Sequence, residues 1–432
     1  MNSLASSMGA LRQLPHRLKS LWRSFREALA REFAAFRRAP LRWVGNTIKR
    51  IVTGLAGLIG GLLKAPLAAL RAFWRWLTGL TLKRIWSGLW RAAIGLAVIL
   101  AFAFFMAVHW PHSQVPKVEA PLSTVYLDQG WGVGRTAADR QTYYYTPQGA
   151  ATALRNLRYS WLVNLELPWG QQRLASPEQM RAYGFQVDTE PTAANPHQLP
   201  VGFTKHYDDV LEDEVLDLSC AACHTGALRV RKSDGSLLSV RIDGGQAMHA
   251  FTSAQMPHFV PVLITSMLST YQNPLKFNRV ARNVLGSEHY EEGRDSLRGE
   301  FKDTMVALLK FGANEISHGL APVDEGYART DALTRIANRV FGDHITPANN
   351  RPANAPVSYP PVWDIWKFDW VQYSGSVAQP MARNLGESLG VGADFELLDR
   401  YRRPLPEDRQ FDTSTMIFRL HEIELALRRL RP

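Results

Sequence analysis

The longest apolar run of the chain lies at 92–108, where seventeen consecutive residues carry no acidic or basic side chain of the Asp, Glu, Lys or Arg type. That length is the lower limit for a helix that crosses a bilayer. Trp86, Trp90 and Trp110 flank the run, as interfacial aromatic residues do. The pattern predicts one transmembrane helix over 91–110. A buried helix of a soluble domain is the alternative, and a cleaved signal peptide fits less well because some ninety residues precede the run.

The segment before this run, residues 1–90, repeats aromatic and leucine residues at helical spacing with arginines between them. Such a pattern predicts a basic amphipathic arm, which can lie on anionic lipid headgroups. A second apolar run at 51–63 is too short to span a bilayer and predicts an interfacial or re-entrant segment. A solvated arm that binds nucleic acid is the competing interpretation, and the helical spacing of the aromatics argues against it.

Charge is divided unevenly along the chain. Residues 1–91 carry 17 Lys or Arg and only two acids, whereas the whole chain has a net charge of +11. The basic character therefore belongs to the arm alone and does not indicate a nucleic-acid-binding domain. By the positive-inside rule, the arm lies in the bacterial cytoplasm and the residues after 110 lie in the periplasm.

Beyond a proline-rich linker at 111–124, several segments show helical periodicity. These are the stretch between Pro147 and Pro168, then 250–271, 294–312 and 330–341. An apolar stripe near the C-terminus predicts a further helix, formed by Met416, Leu420, Ile423, Leu427 and Leu430. We expect this stripe to pack on the helices of 250–312, or to bind a domain that a longer form of this chain or a second chain provides.

Other segments do not have a helical period. Residues 229–241 alternate weakly around the turn at 233–236 and predict a short β-hairpin. Residues 168–218 predict loops with short helical turns. Residues 347–380 combine prolines with tryptophans, which predicts an ordered irregular loop, packed either on a cofactor or in an ordinary aromatic core.

Both cysteines of the chain lie in one C-x-x-C-H array, formed by Cys220, Cys223 and His224. Two thiols at this spacing can each form a thioether with a haem vinyl group, and the following histidine then ligates the iron. A buried thiol pair, a disulfide, half of a zinc site and a thioredoxin-like redox pair are the alternatives. Zinc would need two further ligands, and the chain has no other cysteine to supply them. We therefore predict one covalent haem c with His224 as the proximal iron ligand.

Several stretches resemble the large di-haem cytochromes c that are related to bacterial cytochrome c peroxidases and rubber oxygenases. The matching stretches are 128–131, 144–149, 199–204, 220–226, 241–245, 351–356 and 368–390. The resemblance implies that Cys220 and Cys223 bind haem and that His224 ligates iron. Members of that family carry a second C-x-x-C-H in a C-terminal domain, whereas this chain has no third cysteine. We expect the second haem domain to lie on a partner or in a longer form of the chain.

The sixth iron ligand is open at this point, and Met381 is the first candidate because it follows a proline in a predicted loop. The other candidates are Met248, His249, Met256, His258 and His318. Arg241 and Arg383 are candidates to pair with haem propionates.

Together these patterns predict a mainly α fold: a cytochrome c-like haem core with long irregular loops and a short β-hairpin, preceded by the basic arm and one transmembrane helix. The predicted regions are the arm at 1–90, the anchor at 91–110, the linker at 111–124 and a periplasmic haem domain at 125–432. The predicted function is that of a membrane-anchored periplasmic c-type cytochrome that transfers electrons. Its expected partners are membrane lipid and a redox protein or second haem domain, and not nucleic acid. The alternatives are a haem peroxidase or oxygenase, and a protein in which the arm binds the partner.

Overall fold

The computed structural model describes Lys49, Thr53 and residues 82–113, 115, 117–372, 374–399 and 401–432. The predicted arm and the predicted interfacial segment at 51–63 lie almost entirely outside the described residues. The chain divides into two compact units, Met1–Ala107 and Val108–Pro432.

The apolar run forms a helix, as its composition predicts. Helix α1 spans Leu82–Phe104, a π-helical turn follows at Phe105–His109, and a last helical turn covers Trp110–Ser113. Among the described residues, Trp86–Ala107 is the one helix that is long and apolar enough to cross a membrane. Nearly all of this span is exposed. That exposure argues against the core helix of a soluble domain, which would be buried.

The fold of the described residues is mixed α and β, with 45% helix and 13% strand. The prediction of a mainly α, cytochrome c-like fold is therefore wrong. The remaining helices are α2 Ala138–Tyr145, α3 Tyr159–Asn164, α4 Pro177–Ala182, α5 Phe259–Gln272, α6 Pro274–Ser317, α7 Ala332–Ala337, α8 Met381–Val391 and α9 Ile417–Leu427. The strands are β1 Ser123–Tyr126, β2 Phe203–Asp208, β3 Asp213–Leu218, β4 Thr225–Arg231, β5 Leu237–Asp243, β6 Arg329–Thr330, β7 Val357–Ser358, β8 Trp370–Val371 and β9 Val377–Ala378.

The longer strands form two small sheets. β4 and β5 pair antiparallel, which confirms the predicted hairpin, and β1 joins β5 in parallel to give the order β1-β5-β4. β2 and β3 form a second antiparallel pair within the segment that was expected to be loop. The sequence of β3 reads Asp-Glu-Val-Leu-Asp-Leu, and its last four residues are buried. Charged residues inside a buried strand hid it from a hydrophobic-pattern analysis.

The region between Pro147 and Pro168 is not one helix. A 3₁₀ turn at Ala151–Leu154 ends where Arg155 and Asn156 have φ of 55° and 53°, and α3 begins only at Tyr159. Two consecutive left-handed residues cannot continue a right-handed helix. The predicted helix at 294–312 is confirmed within α6. The predicted helix at 250–271 is confirmed only from Phe259, where α5 begins, and residues 250–258 are not helical.

The C-terminal stripe is buried, but not where we expected. Leu420, Ile423 and Leu427 of α9 are each about 1% exposed and belong to one cluster with Tyr143 and Tyr144 of α2. The stripe therefore packs on α2 and not on α5 or α6. A second and larger cluster joins α3, α5 and α6 with the start of β2.

Candidate functional site

The C-x-x-C-H segment connects β3 to β4 and lies between the two apolar clusters. Cys220 opens a 3₁₀ turn that runs to Ala222, and β4 begins directly after His224. Cys220 packs against the cluster of α2 and α9, whereas Cys223 packs against the cluster of α5 and α6. Both thiols are free and half-buried. The fold therefore fixes the two thiols at the junction of its two cores.

The imidazole of His224 is oriented by one hydrogen bond. Its Nδ1 lies 2.8 Å from the carbonyl oxygen of Pro360, so Nδ1 carries the hydrogen and donates it. Burial lowers the pKa of His224 to about 4, against the opposing effect of the bond to Pro360, so the ring is neutral at pH 7. A neutral imidazole with a protonated Nδ1 presents the lone pair of Nε2, which is the form that ligates a metal.

Three carbonyl groups of the segment accept hydrogen bonds from other parts of the fold. The carbonyl of Ala222 accepts from His249 Nε2 at 2.7 Å, that of Cys223 accepts from the backbone N–H of Ala247 at 3.0 Å, and that of His224 accepts from the Tyr143 hydroxyl at 2.7 Å. Since buried carbonyls are costly to leave unpaired, these three bonds stabilise one conformation of the segment.

These contacts remove His249 from the candidates for the sixth ligand. Its Nδ1 accepts from the N–H of Phe251 at 3.2 Å while its Nε2 donates to Ala222. Both ring nitrogens are therefore used by the fold.

The segment also approaches β2 closely through Gly202. The N–H of Ser219 donates to the Gly202 carbonyl at 2.8 Å. Gly202 has φ of +87°, and a Cβ at this position would lie 2.1 Å from the backbone nitrogen of Ala222. The Leu-Pro-Val-Gly-Phe-Thr stretch thus serves to bring the backbone of β2 against the cysteine turn.

The surroundings of the thiols do not suit a redox-active dithiol. Burial raises the pKa of Cys220 to about 12 and that of Cys223 to about 11, and the carboxylate of Glu387 adds to both shifts. Thioredoxin-like pairs have the opposite property, a lowered thiol pKa. Within the described part of the chain, no group of three His, Cys, Asp or Glu side chains is placed to hold a metal.

Met381 begins α8 and packs in the same cluster as Cys220, with its Sδ 3.8 Å from Asn384 Nδ2. Met256 packs against the other cluster, the one that Cys223 contacts. The structure thus brings two methionines to the cores that flank the cysteines. The remaining candidates lie elsewhere: Met248 is largely exposed, His258 is 3.8 Å from Asp324, and His318 is exposed at the end of α6.

The two arginines proposed for propionates each have a carboxylate partner in the fold. Arg241 pairs with Asp188 at 2.9 Å and Arg383 pairs with Glu424 at 2.5 Å, and all four side chains are buried. Each arginine still has a buried donor without a partner among the described residues, including Nε in both cases.

One residue that the sequence analysis did not single out is the centre of a buried hydrogen-bond network. Asp243, at the end of β5, accepts from Arg140 at 2.7 Å and from the hydroxyl of Tyr144, while its carbonyl accepts from Trp363 at 2.6 Å and from Gln129 at 3.0 Å. This Asp243 network joins three of the stretches that carry the family resemblance, 128–131, 144–149 and 241–245. The Arg-Ile-Asp-Gly-Gly motif contains Asp243. Its hydrogen-bond partners are distant in the sequence, so a local pattern does not reveal that this acid is buried and paired.

No protein-family model matches the chain, and no solved structure matches it. The chain is similar to the "Uncharacterized protein y4iJ" of Sinorhizobium fredii (strain NBRC 101917 / NGR234), with 29% identity over 370 residues. The similar region covers 80% of this chain and 56% of the relative, so the chain spans little more than half of that protein's length.

Proposed function

We propose that this chain is a c-type haem protein in which Cys220 and Cys223 form thioethers with one haem and His224 ligates its iron. The observation that carries the proposal is the arrangement at His224: Nδ1–H is held by Pro360 while Nε2 is left with its lone pair, next to two free thiols. Haem attachment needs these three groups and does not depend on a cytochrome c fold.

Two further observations support the proposal that these residues can hold a haem. The carbonyls of the cysteine segment are engaged by the fold, so the segment needs no haem to hold its conformation. The Nε of Arg383 is a buried donor without a partner among the described residues. Arg383 lies on α8, whose Met381 and Leu385 pack against the same cluster as Cys220. A haem carries two propionates that can accept from such donors.

When bound, haem supplies an iron that exchanges one electron. Cys220 and Cys223 would hold it, and the bond to Pro360 would orient His224 as its proximal ligand. We propose electron transfer as the function, with a redox protein or second haem domain as the partner. The exposed apolar helix Trp86–Ala107 supports a membrane anchor, and the basic residues that precede it in the sequence favour a periplasmic position for the second unit.

A haem peroxidase or oxygenase is the second candidate. The observation that favours it is that His249 has no nitrogen left for iron. If Met381 and Met256 also do not reach the iron, its sixth position is open, as such an enzyme requires. A six-coordinate low-spin ferric spectrum that Met381→Leu converts to high spin would identify a carrier, whereas a high-spin spectrum in both proteins with turnover of peroxide would identify an enzyme.

The test of haem attachment uses the full chain, co-expressed with a cytochrome c maturation system. The pyridine haemochrome spectrum should show one haem per chain joined by two thioethers. Cys220→Ser and Cys223→Ser should each leave one thioether, and the double variant should lose covalent haem. A haem-free product, or stoichiometric zinc, would contradict the proposal.

The assignment of iron ligation to His224 has a matched control. His224→Gln should change the Soret spectrum and reduce haem incorporation, whereas His318→Gln should alter neither, because His318 is an exposed histidine at the end of α6.

A further inference from the structure

The sheet β1-β5-β4 carries two arginines on one face. Arg241 of the central strand β5 pairs in register with Ala227 of β4, and Arg229 of β4 pairs with Ser239 of β5. Residues directly opposite each other, and residues two apart on one strand, point to the same face of a sheet. Arg229 and Arg241 therefore share a face, in neighbouring rows. Arg241 is 1% exposed and Arg229 is exposed, so this face is covered at its centre and open to solvent at the edge strand.

A third arginine, Arg181 of α4, lies over this face. Its Nη2 donates to the backbone carbonyl of Asp188 at 3.3 Å, while Nη2 of Arg241 donates to the carboxylate of Asp188 at 2.9 Å. One residue therefore binds both guanidinium groups. Burial lowers the pKa of Arg181, and the positive charge of Arg229 lowers it further, as expected when like charges lie close together. The three arginine side chains thus converge from α4, β4 and β5.

These three positive charges face too little negative charge. Among the described residues, Asp188 is the one carboxylate that pairs with them, and it also accepts from the hydroxyl of Tyr126 at 2.8 Å. The acid that ends β5 pairs with a different arginine. Arg181 is 9% exposed, and within the described structure its Nε has no hydrogen-bond partner, nor do Nε and Nη1 of Arg241. Since buried charges are normally paired and buried donors normally bonded, the arrangement lacks an anion.

We propose that Arg181, Arg229 and Arg241 form an arginine site that binds one small tetrahedral oxyanion of the phosphate type. Thr124 of β1 supports the proposal, because it pairs with Ser239 in the row of Arg229 and its buried hydroxyl has no partner among the residues described. Donors that converge from several elements suit a tetrahedral anion, whose oxygens accept in several directions, better than a planar carboxylate. The burial of Arg241 limits the ligand to a small anion. The arginine site gives Arg241 a ligand other than a haem propionate and does not depend on the proposed haem.

Binding of inorganic phosphate to the full chain in detergent tests the arginine site. Isothermal titration calorimetry at pH 7 measures this binding, with the ionic strength held constant by sodium chloride so that surface charges are screened equally. Arg181→Gln and Arg229→Gln each remove one guanidinium group, and the second change is at an exposed position where it disturbs no core packing. Arg403→Gln is the control, because that side chain is 72% exposed and pairs with Asp399.

We expect the unmodified chain to bind phosphate saturably at a single site. The dissociation constant should rise by about tenfold or more in Arg181→Gln and by about threefold or more in Arg229→Gln, whose charge is partly screened by solvent. It should not change in Arg403→Gln. An unchanged dissociation constant in either of the first two variants, a rise in Arg403→Gln as large as in them, or the absence of saturable binding to the unmodified chain would overturn the arginine site. If Arg181→Gln does not fold, Arg229→Gln decides the question alone.

Discussion

Replacing Gly202 with alanine tests whether the close approach of β2 holds the cysteine segment. Gly202 has φ of +87°, and its added Cβ would lie 2.1 Å from the nitrogen and 2.4 Å from the Cα of Ala222. Both contacts are with backbone, so no side-chain rotation relieves them. The turn between Cys220 and Cys223 must move, or β2 must.

Two separate effects contribute to the expected loss of stability in Gly202→Ala. An L-residue in the left-handed region is destabilised by about 1–2 kcal/mol. Forcing a methyl group into a packed site adds about 1–3 kcal/mol. Gly202→Ala should therefore lower the free energy of unfolding by about 2–5 kcal/mol, the sum of these two effects.

Gly235 provides a matched control for the effect of placing an L-residue in the left-handed region. Its φ is +83°, and no heavy atom lies within 4 Å of an added Cβ. Gly235→Ala should therefore cost only about 1–2 kcal/mol. Urea unfolding of the full chain in detergent, followed by tryptophan fluorescence, compares the two variants. Gly202→Ala should also attach less haem than Gly235→Ala, and equal stability and equal haem content in the two would refute the reasoning.

Three further predictions concern single side chains. Asp243→Ala leaves a buried arginine without its carboxylate and should lower the free energy of unfolding by about 3–5 kcal/mol in the same urea assay, whereas Asp295→Ala, at a side chain that is 90% exposed, should change it little. Tyr143→Phe removes the donor to the His224 carbonyl and should cost about 1–3 kcal/mol, while covalent haem is retained. The pKa of Asp324 is lowered from 3.8 to about 2, chiefly by its hydrogen bond with His258. Its stabilising effect is therefore present above pH 4 and is lost as the pH falls towards 2, and in Asp324→Asn this part of the pH dependence of the unfolding midpoint should disappear.

The features that sequence analysis predicted correctly depend on residues close together in the chain. The β4–β5 hairpin needs only a turn at 233–236 and the alternation beside it. The helix α9 follows from an apolar stripe of period 3.6. The C-x-x-C-H array places its own three groups together. In each case the residues that determine the structure lie close together in the sequence.

The features that it missed depend on distant partners. β3 contains Asp217, a fully buried acid whose carboxylate accepts from the N–H groups of Gly149 and Ala150 and contacts His206 at 3.0 Å. The sequence around Asp217 does not indicate these partners, so the pattern of β3 was typical of a loop. The orientation of His224 depends in the same way on Pro360, which lies 136 positions further along the chain. A local pattern contains neither contact.

These long-range contacts give a structural role to several of the stretches on which the resemblance to di-haem cytochromes rests. Gly202 supports the cysteine turn, Tyr143 and Tyr144 accept from Ser219 at its start, and Asp243 connects β5 to α2 and to the loop that supplies Pro360. None of these contacts requires a haem. Since the segment is already held at both ends and along its carbonyls, attachment of haem would form two thioethers and one iron bond without ordering new chain. The stretches on which the proposed resemblance rests therefore stabilise the shape of the cysteine segment, and that structural role is compatible with either one haem or two in the proposed function.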